Sequence, residues 1–185
     1  SPTRGQNQLV ESAVIVESLG TSGAGKSTAI PYLIRMLRDE GMLAMSAIEA
    51  IDFSMRDTWA GRMVRSSLPS QLQNTMLWLI FSWIYAPWHT LEFVVQHPRL
   101  TGYVAKSQLR RKIRWAHRIL ILGLFMQMTG RFQFIKRHTQ PDQLIFLDEG
   151  FVHRATHLFV SETEAVDPEQ VLVYLKLLPP VDLVL

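Results

Sequence analysis

Eight consecutive residues, Gly20-Thr21-Ser22-Gly23-Ala24-Gly25-Lys26-Ser27, complete the pattern G-x-x-x-x-G-K-[ST]. The chemistry of that pattern is phosphate binding. Glycines at 20, 23 and 25 carry no Cβ and tolerate positive φ, so successive backbone N–H groups can converge on an anion. Lys26 would reach β- and γ-phosphate oxygens, and the Ser27 hydroxyl would ligate Mg²⁺. Thr28 offers a second hydroxyl, for the phosphates or for the helix surface. The ligand class is a nucleoside triphosphate with magnesium.

A second chemical feature is the apolar run Leu144-Ile145-Phe146-Leu147 followed by Asp148-Glu149-Gly150. A buried strand that ends in an acid delivers a carboxylate to the edge of the sheet beside a phosphate loop. Asp148 there can hold Mg²⁺ or take a proton from an attacking hydroxyl, and Glu149 could share either task. Arg56 and Arg154 are candidates for contact with the phosphate of an acceptor. His153 and His157 stand four apart, a spacing that can bind metal, but no third ligand is in view and packing or surface roles are expected. Trp59, Trp78, Trp83, Trp88 and Trp115 are expected to build a helical core.

These residues need elements to position them. Residues 13–19 are apolar and β-branched and predict a buried strand ahead of the loop. Ile30, Leu33, Ile34 and Leu37 recur at helical spacing until Gly41, which predicts a helix behind it. Residues 43–48 predict a second strand, ending at Glu49 and Asp52. From 55 to 129 no strand pattern occurs; helices are expected over 70–85, 88–96 and 107–128, punctuated by Pro69, Pro87 and Pro98. A third strand at 144–147, helices over 151–161 and 168–178, and a strand from 181 to 185 complete the chain.

A length of 185 residues suits one domain, 1–185, with a basic helical insertion at 55–140. There is no cysteine, which excludes disulfides and thiolate metal sites and fits a reducing, cytoplasmic setting. Residues 1–8 are polar and predict no targeting segment. The net charge of +3 conceals a polarised chain: ten Lys and Arg and no acid lie between residues 93 and 141. Such a stretch could be a solvated helix face, clamp an anionic acceptor, meet acidic lipid or bind nucleic acid; charge alone does not choose among these, and nucleic acid is not the expected partner. The lipophilic runs 76–86 and 119–128 fall short of the ~20 residues that cross a bilayer and predict buried core helices, ahead of membrane-surface contact.

On residues 14–27, 144–150 and 177–185 the chain resembles the P-loop nucleoside and nucleotide kinases, similar to thymidylate kinase and adenylylsulfate kinase. The resemblance implies a three-layer αβα fold with a parallel sheet in the order 2-3-1-4-5. It also implies transfer of the γ-phosphoryl group of ATP to a small, anionic or sugar-bearing acceptor held beneath the helices between strands 2 and 3. Asp148 falls where thymidylate kinases keep the acid of an Asp-Arg pair, but Glu149 replaces the arginine and Arg154 is the substitute at hand. The chain stops in the expected fourth strand, so the fifth strand and its arginine-rich lid are expected to be missing. No Asn-Lys-x-Asp run marks a GTPase and no Leu-Ser-Gly-Gly-Gln-like run marks a transporter-type ATPase. A P-loop ATPase or a non-catalytic nucleotide-binding module is the alternative. Nothing in the residues reads out the oligomeric state.

Overall fold

The computed structural model describes residues 13–18, 25–111, 114–160 and 166–184. It is an α/β architecture around a four-stranded, fully parallel sheet. The strands are β1 (Val14–Glu17), β2 (Leu43–Ser46), β3 (Gln143–Leu147) and β4 (Leu183–Val184), in the spatial order β2-β3-β1-β4. That is the sequence of the first four positions in the expected order.

Strand periodicity explains why helices cover both faces. Val14, Val16, Ala44, Leu144 and Phe146 point to one side, where Ile30, Leu33, Ile34 and Leu37 of α1 (Lys26–Asp39) pack on them. Ala13, Ile15, Met45, Ile145 and Leu147 point to the other, into a larger core shared with the remaining helices. Helix α1 closes at Gly41, whose φ of 86° is the left-handed conformation glycine adopts without strain.

Between β2 and β3 the described chain is helical: α2 (Ala47–Asp57), α3 (Trp59–Ser67), α4 (Ser70–Ile80), α5 (Ala86–Gln96), α6 (Pro98–Arg110) and α7 (Trp115–His138). Two more helices, α8 (Phe151–Phe159) and α9 (Pro168–Leu177), follow β3. The Tyr174 hydroxyl donates to the Phe151 carbonyl at 2.9 Å and pins α9 to α8. Gln108 and Arg111 both donate to the Leu158 carbonyl, joining the end of α6 to α8.

Four expectations need correcting. Strand β2 stops at Ser46 rather than 48, because Ser46 and Glu49 form a reciprocal capping box that starts α2 there. The helix expected over 107–128 is two helices, α6 and α7, that break before Arg114. Pro87 does not interrupt: α4 and α5 run on through a π-helical turn, Phe81–Tyr85, in which the Ala86 N–H bonds to the Phe81 carbonyl. Widening the helix just before the proline eases the steric conflict a proline ring makes with the preceding turn. Finally, the tryptophans do not build the core. All five are exposed, from 37% for Trp78 to 79% for Trp83, and phenylalanines 81, 93, 125, 132, 134 and 151 fill the interior instead. The lipophilic runs are accordingly half-buried: Leu77, Phe81, Ile121, Phe125 and Met128 face inward, while Met76, Leu79, Trp83, Ile84, Ile119 and Leu120 face out.

Candidate functional site

The carboxyl ends of β1 and β3 lie side by side. Glu17 pairs in register with Leu147, and the Ser18 hydroxyl, 3.2 and 3.3 Å from the carbonyls of Leu147 and Asp148, ties the two exits together. The segment leaving β1 therefore starts beside the Asp148-Glu149-Gly150 turn. In an open parallel sheet that edge is where ligands bind.

Gly20, Thr21, Ser22, Gly23 and Ala24 lie outside the described residues, as does the side chain of Lys26. The end of the loop is visible. Gly25 has φ 78° with open space where a Cβ would stand, and its carbonyl accepts the N–H groups of Thr28 and Ala29 at 3.0 and 2.9 Å. Lys26 opens α1, and Ser27 and Thr28 are exposed on its first turn. Among the described residues no side chain caps this helix start, as is also true of α4 to α7, and no acid lies in its first turn; α2, α3 and α9 each carry a side-chain cap. Uncapped N–H groups at the positive end of a helix are what an anionic phosphate needs. The start of α1 therefore suits an anion, and Ser27 and Asp148 carry side-chain oxygens of the kind a magnesium ion would accept.

Asp148 is exposed at the sheet edge. Glu149 is half-exposed and pairs at 2.5 Å with Arg154, whose side chain is almost fully buried. A third charge joins them from α7. Arg131 feels the attraction of Glu149 and the repulsion of Arg154, and burial holds its guanidinium below the usual arginine value. Its guanidinium carbon sits 5.6 Å from the centre of the Trp78 ring. The Nε atoms of Arg131 and Arg154 are both buried without a hydrogen-bond partner among the described residues. Two guanidinium groups, those of Arg131 and Arg154, therefore gather at the Glu149 carboxylate beside the turn that carries Asp148.

Arg56 is elsewhere. It lies near the far end of α2, paired with Asp52 at 2.7 Å and within 3.5 Å of the Asn74 side chain. His153 and His157 have ring centres 5.5 Å apart, and no group of three or more metal-ligating side chains occurs among the described residues.

Sequence reasoning missed two residues. Arg131 was one cation among ten; what marks it is its position between Gly130 and Phe132, both buried, where a lone charge must have a purpose or a partner. Glu17 has no role in the sequence beyond its place in the strand expected over 13–19. It is fully buried, and one carboxylate oxygen accepts the N–H groups of Val152 and His153 at 2.5 and 3.1 Å, capping α8 from across the sheet. Gly150 permits this approach, since a Cβ there would stand 2.1 Å from the Glu17 carboxyl carbon. The other Glu17 oxygen is buried with no partner among the described residues, and burial raises the carboxyl above its usual pKa despite the two N–H donors. The signal for Glu17 was an acid closing a β-branched apolar strand. No helix among the described residues is long and apolar enough to cross a membrane. A scan against protein-family models finds no match, and searches of curated proteins and of solved structures return none either.

Proposed function

We propose that this chain is a cytoplasmic, kinase-like P-loop protein. It binds Mg-ATP on the loop after β1 and passes the γ-phosphoryl group to a small anionic or sugar-bearing acceptor. One observation carries the reading: the uncapped start of α1, with Gly25 in the left-handed conformation, follows β1, whose exit is tied to the exit of β3 and the Asp148-Glu149 turn. The Gly20–Ser27 pattern supplies the ligand class. Lys26 would stabilise charge on the transferred group, and Ser27 and Asp148 would hold the metal, which when bound neutralises charge on the phosphate oxygens.

The chain's own residues divide the remaining work. Asp148 is exposed and placed to orient an acceptor hydroxyl. Glu149 spends its charge on Arg154, which makes it a positioning group for that arginine rather than a free base. Arg131 and Arg154 give the acceptor's anion a place to sit, and Arg56 falls outside that cluster. This pairing also favours a kinase over an ATPase, because a water-activating glutamate must have an unengaged carboxylate.

The test is ATP affinity and ADP release by the parent and by Lys26→Ala, with and without a panel of nucleosides, nucleotides, sugars and sulfated nucleotides. Loss of a charge-assisted phosphate contact in the variant is expected to weaken transition-state stabilisation by roughly 3 kcal/mol, on the order of a hundredfold. A well-folded Lys26→Ala protein with unchanged affinity and turnover would falsify the assignment. Acceptor-independent ADP release would make the protein an ATPase, and binding without turnover would make it a regulatory module.

A further inference from the structure

Exposed large apolar side chains occur along much of the described chain, and six of them share one side of a single long helix. Met76, Leu79, Trp83, Trp88, Leu91 and Val95 are all exposed on the continuous helix 70–96. With 3.6 residues per turn, and slightly more across the π-helical turn, they fall within roughly a quarter of the helix circumference. The opposite side carries the buried Leu77, Phe81 and Phe93. The result is an uncharged ridge about 30 Å long. Helix α7 packs beside α5, where the Thr90 hydroxyl donates to the Met126 carbonyl at 2.9 Å, and Trp115, Ile119 and Leu120 on the first half of α7 are also exposed.

Cations predominate along this part of the chain. From residue 58 to residue 141 there are twelve Lys and Arg and a single acid, Glu92. Glu92 is mostly buried and is engaged by His89 and Arg137. Exposed Arg62 on α3 precedes the ridge, and exposed Arg99, Lys106 and Arg110 on α6 follow it. Arg114 opens α7, where the Arg118 guanidinium lies 5.3 Å from the centre of the Trp115 ring.

We propose that this face docks the protein on the surface of a membrane rich in anionic lipid, lying along the bilayer rather than crossing it. An apolar ridge bearing tryptophan, with exposed cations on the helices before and after it in the chain, matches the composition of interfacial helices. Cations near the headgroups add attraction to a negatively charged leaflet. A second copy is a poorer occupant, because it would set the cations of one copy against those of the other. Nucleic acid would satisfy the cations and leave Leu79, Leu91 and Val95 in water. The inference does not depend on the phosphate loop.

Vesicle co-sedimentation and tryptophan emission test it, using phosphatidylcholine vesicles with and without phosphatidylserine, some carrying brominated acyl chains. Vesicles containing phosphatidylserine should bind the protein, shift its emission to the blue, and quench it when brominated; added salt should weaken binding. The double variant Trp83→Glu, Trp88→Glu should lower partitioning at least tenfold, an estimate of about that size for losing two interfacial anchors. Trp83→Phe with Trp88→Phe should keep most of it and guards against loss of fold, which circular dichroism checks for both. Lys106→Gln and Arg110→Gln should each cost roughly fivefold. Failure to bind phosphatidylserine vesicles, or indifference to the glutamate pair, overturns the proposal. So does single-stranded DNA binding that vesicles cannot compete, or a dimer that the glutamate pair dissolves without any vesicle binding.

Discussion

The sheet with α1 and the helical segment 47–138 treat apolar residues in opposite ways. In the two central strands nearly every apolar side chain is hidden, because alternate residues enter one of two cores and both faces are covered. In the helical segment apolar residues occur on both sides of the same helix, and only one side finds a neighbour: Phe81 and Phe93 are buried while Trp83 and Val95 are 79% and 72% exposed. A parallel strand covered on both faces has to be apolar throughout. A helix apolar all round has two possible causes, deep burial or a second surface that awaits another phase. Hydropathy alone does not separate them.

The sharpest way to break this comparison is to truncate one residue from each side of the long helix. Phe93→Ala removes a fully buried ring that stacks on Phe151 at 5.5 Å, and should lower unfolding free energy by about 3–5 kcal/mol. Trp83→Ala removes a larger side chain from water and should stay within about 0.5 kcal/mol of the parent. Urea unfolding of both variants decides it; comparable losses would mean that the two sides are energetically alike.

Two glycines on α7 sharpen the same contrast at smaller cost. A Cβ on Gly130 would stand 2.5 Å from both the Ala86 carbonyl oxygen and the Thr90 hydroxyl, where α5 crosses α7. The carbonyl is backbone and cannot step aside, so Gly130→Ala should destabilise by about 1–3 kcal/mol. Gly123, two turns earlier, is exposed, and a Cβ there would meet nothing within 4 Å. Gly123→Ala should therefore stabilise, by roughly 0.5–1 kcal/mol, through the helix propensity of alanine alone. Thermal midpoints that move in the same direction for both would contradict the placement of the crossing.

The elements around the loop were legible because their signals are local. The β-branched run at 14–17, the spacing of Ile30 to Leu37 and the acid-terminated run at 144–148 each name their element without help from the rest of the chain. The strand expected over 43–48 runs through Ser46-x-x-Glu49, whose spacing is that of the capping box that starts α2. What stayed hidden depends on contacts between distant residues. Glu17 gains its meaning from α8, more than 130 residues later, and Arg131 from Glu149 and Trp78 on two other elements. The exposure of the tryptophans was unreadable for the physical reason above, since residue type reports hydrophobicity and says nothing about which side is covered.

The smallest expected effect concerns two buried titratable groups, one in each region, that burial moves in opposite senses. Burial raises the Glu17 carboxyl above its ordinary 4.5 and lowers the His89 imidazole below its ordinary 6.5, the latter helped by His138 and Arg137 and opposed by Glu92. For Glu17 the folded state holds the proton more tightly, so its stabilising contribution is present below about pH 4.5 and is lost as pH rises through the folded value. For His89 the folded state holds the proton less tightly, so its contribution is present above about pH 6.5 and is lost as pH falls through the folded value. Unfolding free energies between about pH 4 and about pH 8 should show Glu17→Gln losing the decline with rising pH, and His89→Gln losing the decline with falling pH. Variant curves that run parallel to the parent would show that neither group is desolvated as its surroundings require, and would bring the two regions back into line.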